Sequence, residues 1–134
     1  MNKILKIGVI GLFSLFLSCD KSGEISKSLE EGTYSGIFTV TYSSGKRTGE
    51  TTLKLENGKY ICTSNSGRIP AGGSGNYSIN NKKITFNDVN FWTADFDWNL
   101  ILSGEYDYTF DGKRLVFSAN KNEVGNYKYD LKKQ

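Results

Sequence analysis

From Gly32 onward the chain alternates apolar and polar residues, and turn dipeptides break the alternation at short intervals. Alternation of period two marks strands with one buried face. The turns then say which residues oppose one another. "LENGKY" contains Asn57-Gly58, a strong hairpin signal, because a type I′ turn needs positive φ at both central positions. Centred there, Leu55 faces Tyr60 and Leu53 faces Cys62. "FDGKRL", turned at Asp111-Gly112, sets Tyr108 against Leu115 and Tyr106 against Phe117. "SINNKKI", turned at Asn80-Asn81, sets Tyr77 against Ile84 and Gly75 against Phe86. "TYSSGKRT", turned at Ser44-Gly45, pairs Phe38 with Thr51, Gly36 with Leu53 and Tyr34 with Leu55. Opposed residues share a face, and in all four hairpins apolar residues meet apolar or small ones. A slip of one residue would mix the faces.

Adding the last two elements predicts strands at about 33–42, 47–56, 59–64, 74–79, 82–87, 97–110, 113–119 and 124–132. The sixth is long. Phe96, Trp98, Leu100, Leu102, Gly104, Tyr106 and Tyr108 keep one parity, whereas a turn at Ser103-Gly104 would oppose Leu100 with Asp107. One strand bent at Gly104 is the expectation. An even number of antiparallel strands in sequence order lets the last pair with the first and removes both edges. The expected fold is all-β: an eight-stranded antiparallel up-and-down barrel over residues 32–134. A two-sheet sandwich is the alternative.

This register turns all eight tyrosines inward: Tyr34, Tyr42, Tyr60, Tyr77, Tyr106, Tyr108, Tyr127 and Tyr129, joined by Phe38, Phe86 and Phe117. A barrel of eight strands has an interior that side chains can fill or that holds one small ligand. A solid aromatic core and a small polar-aromatic pocket both fit. Two loops exceed hairpin length, "SNSGRIPAGGSG" (Ser64 to Gly75) and "NDVNFWTADFDWNL" (Asn87 to Leu100). Both join an upward strand to a downward one, so both belong at one end. Arg68, Phe91 and Trp92 then surround a mouth, the expected working end. The candidate ligand-binding residues are Arg68, Tyr77, Phe91, Trp92, Trp98, Tyr106 and Tyr108.

The first residues, "MNKILKIGVIGLFSLFLSCDKSGE", have the plan of an export signal: Lys3 and Lys6, an uncharged run from Ile7 to Leu17, then Ser18 and Cys19. The run is short for a membrane span. A cysteine directly after the apolar run resembles the bacterial lipobox, in which the thiol is lipidated and becomes the first mature residue. That implies a cleaved signal peptide, 1–18, and a lipidated tether, 19–31, "CDKSGEISKSLEE", with a helical turn near the domain. Removing residues 1–18 takes away Lys3 and Lys6 and leaves 15 basic residues against 14 acidic ones. Without a basic block, nucleic acid is not an expected partner.

Once Cys19 carries lipid, Cys62 has no internal disulfide partner and reads as a small buried side chain. The chain has no histidine, which removes the usual general base and zinc ligand. "DFDWNL" imitates the start of a calcium-binding loop, but its sixth position is Leu100 and its twelfth Tyr106, so the motif fails. In a strand, Asp95 and Asp97 face solvent while Phe96 and Trp98 face in. "GGSGNYS" lacks the spacing and lysine of a phosphate-cradling loop and reads as turn material. Glu105 and Asp107 are a solvated same-face pair without a second acid for glycoside chemistry. No catalytic set, cofactor or metal is expected.

"GTYSG" at the first strand, the long stretch "WNLILSGEYDYTFDGKRLVF" and the strand count resemble lipocalin-like lipoproteins common in Bacteroidota, with Gly32 and Tyr34 in the places of the lipocalin G-x-W element. The resemblance implies a cell-envelope barrel, lipid-anchored, that binds a small apolar or aromatic molecule at its mouth. Many members of that group have no assigned function. A second class is a protein-binding inhibitor of a cell-wall hydrolase, for which Ser74-Gly75-Asn76-Tyr77 and Ser103-Gly104-Glu105-Tyr106 loosely match a Ser-Gly-x-x-Tyr-like loop. A structural envelope protein is the third.

Overall fold

The computed structural model describes residues 27–134. The expected signal peptide, Cys19 and the first part of the expected tether lie outside the described residues. Eight antiparallel strands follow in order: β1 (Gly32–Tyr42), β2 (Gly45–Glu56), β3 (Lys59–Cys62), β4 (Gly73–Asn80), β5 (Lys83–Asp88), β6 (Gly104–Phe110), β7 (Arg114–Lys121) and β8 (Gly125–Lys133). β8 pairs back on β1, from Tyr34 with Lys133 to Tyr42 with Gly125, and the barrel closes without an edge. The expected architecture is the observed one.

The β2–β3 hairpin keeps the expected register, with Leu53 opposite Cys62 and Leu55 opposite Tyr60. Asn57 and Gly58 take φ of 51° and 73°, as the turn type demands. The other three hairpins are displaced by two residues. Phe38 opposes Gly49, Tyr77 opposes Phe86 and Tyr108 opposes Phe117. A shift of two leaves every side chain on its expected face, so the burial pattern survives it. The turn chemistry explains the shift in the β6–β7 hairpin. The Asp111 carboxylate accepts the backbone N–H of Lys113 at 2.8 Å and of Arg114 at 2.7 Å, and Gly112 supplies a φ of 103°. The turn therefore centres on Gly112-Lys113, with Asp111 as its brace rather than its first central residue.

The sixth strand is shorter than expected. β6 begins at Gly104, where φ is 93°, and Trp98–Leu100 form a single 3-10 turn instead of strand. The Asp97 carboxylate accepts the Asn99 N–H at 2.9 Å and stops the extended chain there. Leu100, Ile101 and Leu102 then run beside the other long loop. The Ala71 N–H donates to Leu100 O, the Leu102 N–H donates to Gly72 O, and Ile101 forms a parallel bridge with Gly72. The two long loops are thus laced together over one end of the barrel. The expected parity for this stretch is corrected accordingly: Trp98 is 55% exposed and Asp97 is half-buried.

Inside, the aromatic side chains pack ring to ring. Phe117 stacks on Tyr129 at 4.5 Å between centroids, Phe38 meets Tyr129 at 4.6 Å, and Phe86 meets Tyr60 at 4.8 Å and Phe117 at 5.4 Å. Six tyrosines are buried, and Tyr42 and Tyr77 are half-buried. Their hydroxyls find local acceptors: Tyr60 donates to Leu102 O at 2.6 Å and Tyr34 to Glu30 O at 2.5 Å. The hydroxyls of Tyr106 and Tyr129 are buried without a hydrogen-bond partner among the described residues. Cys62 is buried too, and burial pushes its thiol up to about 11, with Thr51 beside it at 3.3 Å.

Residues 27–31, the described part of the expected tether, lie across the end opposite the long loops. The Lys27 N–H donates to Phe110 O and Leu29 packs on the core. The Asn57 N–H donates to the Glu31 carboxylate at 2.7 Å. Residues 27–31 contain no helical turn; these contacts spread them across the barrel end instead.

Candidate functional site

Both long loops lie at one end, as the up-and-down order requires, and between the second of them and the ends of β5, β6 and β7 opens a cleft of about 390 Å³. Trp92 and Trp98 line it, with Asn99, Ser103 and Lys121. Asp88, Asn90, Ile101 and Gly104 complete its wall.

Each tryptophan is held by its indole N–H. Trp92 Nε1 donates to Asp88 Oδ2 at 2.6 Å, and Trp98 Nε1 donates to the Thr93 carbonyl at 2.8 Å. Asp88 is itself fixed: it accepts the Ser74 N–H at 3.0 Å and the Asn90 side-chain amide at 2.7 Å. Trp92 also meets Phe96 edge to face at 5.9 Å. With both N–H groups occupied inside the protein, the ring faces are what the cleft offers a ligand.

Asp97 ties the loop to the barrel rim. Its Oδ2 accepts the hydroxyls of Tyr127 at 2.7 Å and Tyr42 at 2.8 Å. Burial pushes this carboxyl up, but the bonds from Tyr127, Asn99 and Tyr42 outweigh burial and hold it below the usual carboxylate range. The phenols respond in the opposite sense. Burial, reinforced by the bond to Asp97, pushes Tyr42 up to about 12, and Tyr127 moves the same way.

Lys121, at the end of β7, is the cation of the cleft. Its Nζ donates to Ser103 O at 2.8 Å and stands 4.7 Å from the centroid of the Tyr106 ring and 5.7 Å from that of Tyr127. Burial brings its ammonium down to about 8, against the pull of Asp97. The sequence carried a signal for this residue. Leu115, Phe117 and Ala119 point inward, and Lys121 continues their parity two residues beyond the predicted end of the strand.

The structure brings some candidate residues together and separates others. Trp92 and Trp98 share the cleft, and Tyr106 lies beneath it through Lys121. Arg68 belongs to the same end but is engaged locally, 3.3 Å from Asp95 and 4.9 Å from the centre of the Phe96 ring. Phe91 is fully exposed on the loop and does not line the cleft. Tyr77 and Tyr108 lie toward the tether end, their N–H groups donating to Gly58 O and Lys82 O of the turns there.

The remaining motifs resolve simply. Asp95 is exposed beside Arg68 and Thr93 while Asp97 serves two tyrosines, so the two carboxylates have separate partners. Glu105 and Asp107 are both exposed and share Lys83, at 3.2 Å and 2.9 Å. Most of "GGSGNYS" is strand β4 rather than turn. Its Gly75 allows a close approach, since a Cβ there would stand 2.0 Å from Asn87 O. Ser74 to Tyr77 lie within β4, and Ser103 and Gly104 form part of the cleft wall. Comparison of the chain with protein-family models, curated proteins and solved structures gives no match.

Proposed function

We propose that this protein is a lipid-anchored envelope barrel, lipocalin-like in kind, that binds a small molecule with an apolar or aromatic face at its mouth. The observation that carries the reading is the open cleft lined by Trp92 and Trp98, whose indole N–H groups are already satisfied; Trp98 is exposed there, and Trp92 packs on the core beside it. The packed interior supports the mouth over the barrel axis as the place of binding, because rings occupy the axis. The anchor is read from Cys19 after its apolar run. It is supported by residues 27–31, which leave the barrel at the end opposite the cleft, so that a lipid on Cys19 holds the mouth away from the membrane. A protein-binding inhibitor is the second reading, favoured by Val89 and Phe91, large apolar side chains exposed on the mouth loop.

Native mass spectrometry tests the first reading. Protein recovered from its own membranes is expected to carry a stoichiometric small-molecule adduct that residues 20–134, expressed without lipid, lack. A clean mass from both sources refutes it. For the anchor, Cys19→Ala is expected to release the protein from membranes, and continued attachment refutes lipidation.

A further inference from the structure

We propose that the ligand of the mouth cleft is a saccharide, with one sugar ring stacked on the indole faces and its hydroxyl rim on Lys121, Asn99 and Ser103. This rests on the mouth-cleft reading above and adds the ligand's chemical class.

Three properties of the cleft lead there. First, it offers flat apolar surface: Trp98 is 55% exposed, and both indole N–H groups are committed to Asp88 and Thr93. Second, it offers polar groups with unused capacity. Lys121 has three N–H donors and gives one to Ser103 O. Asn99 and Ser103, both half-buried, also line the cleft. A wholly apolar ligand would strip water from these groups and return nothing, which opposes binding. Third, the fixed charges balance. Lys121 and Asp88 both line the cleft, and the Asp97 carboxylate acts on the Lys121 charge. A ligand of either net charge would meet an opposing charge of its own sign in a partly dehydrated site.

The cleft therefore calls for a neutral molecule with one apolar face and a rim of groups that both donate and accept. A pyranose has this form: axial C–H groups make the face, and hydroxyls, each both donor and acceptor, make the rim. The volume of about 390 Å³ lies toward the small end of ligand sites, suiting a short saccharide rather than a lipid chain.

The test is a tryptophan fluorescence titration of the full chain with mono- and disaccharides of gluco, galacto, manno and 2-acetamido configuration, run beside 1-naphthol and laurate. The expected result is a saturable change with at least one saccharide. Its affinity is expected to be weakened tenfold or more in Trp98→Ala and several-fold in Lys121→Met, with far-ultraviolet circular dichroism unchanged. Binding of naphthol or laurate that Trp98→Ala weakens, with no saccharide bound, would overturn the saccharide assignment and leave the mouth as the binding site. Saccharide binding undiminished in Trp98→Ala would place the site elsewhere and overturn the assignment. Absence of binding by every probe would overturn both readings.

Discussion

Asp97 is the residue whose loss the structure makes most legible. Its carboxylate accepts two tyrosine hydroxyls and one backbone N–H, at 2.7–2.9 Å, and so joins the loop, β1 and β8. Hydrogen bonds to a charged group contribute roughly 1.5–3 kcal/mol each, but three sharing one half-buried carboxylate are not additive. Water can also reach part of the site. Asp97→Ala is therefore expected to lower stability by about 3 kcal/mol, a fall in Tm of roughly 10 °C or more. Asp97→Asn keeps the shape and one oxygen acceptor, and about half that loss is expected.

The pH dependence gives a second handle with a definite sign. A carboxyl held below its usual value stabilises the folded state above the unfolded pKa of about 3.9, and that contribution fades as pH falls through the folded pKa. The gap between wild type and Asp97→Ala should be widest at pH 7 and narrow as pH falls below about 3.9 and through the lower folded value. Urea denaturation followed by tryptophan fluorescence measures it, with Trp98 adjacent as reporter. A difference under about 0.5 kcal/mol at pH 7, the range of ordinary surface substitutions, or a gap that does not narrow at all down to about pH 2, would refute the reasoning.

Tyr129→Phe removes a buried hydroxyl that has no partner among the described residues, and is expected to be neutral or stabilising by up to about 1 kcal/mol; Tyr60→Phe loses its bond to Leu102 O and should cost about 1 kcal/mol, both read by urea melts. Tyr106→Ala, truncating a fully buried ring against Phe86 and Phe117, should cost about 3–5 kcal/mol, and near-normal melting would show the interior register to be wrong. Lys121 titrates near 8 when folded and near 10.5 when free, so the folded state should gain stability between those values as pH rises. Tm measured against Lys121→Met, which lacks that gain, checks it. Cys62 should resist a thiol-specific disulfide reagent in the folded protein and react on unfolding, because it is buried and its thiol is pushed up to about 11.

The faces of the strands were legible in the sequence because parity alone decides them. Tyr34, Phe38, Phe86, Tyr106, Phe117, Tyr127 and Tyr129 are buried as alternation predicts. Register was less legible, because a two-residue shift keeps every face and only turn chemistry opposes it. Asn57-Gly58 specifies its own turn, whereas the β6–β7 turn depends on a brace from Asp111 that pairing rules do not include. The stretch from Asp95 to Leu102 was the least legible. Its aromatic parity imitates a strand, but a tertiary contact breaks it: Tyr42 and Tyr127, far away in sequence, converge on Asp97. The position of both long loops at one end followed from strand order, and with it Trp92. Trp98 reached the same cleft by a 3-10 turn whose local mark, the Asp97 cap on Asn99, is outweighed in the sequence by the strand-like parity around it.

The chain has two tryptophans, so its indole N–H resonances report the cleft from both sides. The most direct test is to titrate 15N-labelled protein with the small-molecule fraction released by denaturing protein purified from its native source. The expected result is that both indole signals, Trp92 and Trp98, shift and saturate together while the backbone amide signals of Phe117 and Tyr129, whose rings are interior, stay in place. Shifts at Phe117 and Tyr129 with the indoles unmoved would put the ligand inside the barrel, and unmoved indole signals would contradict binding at the mouth.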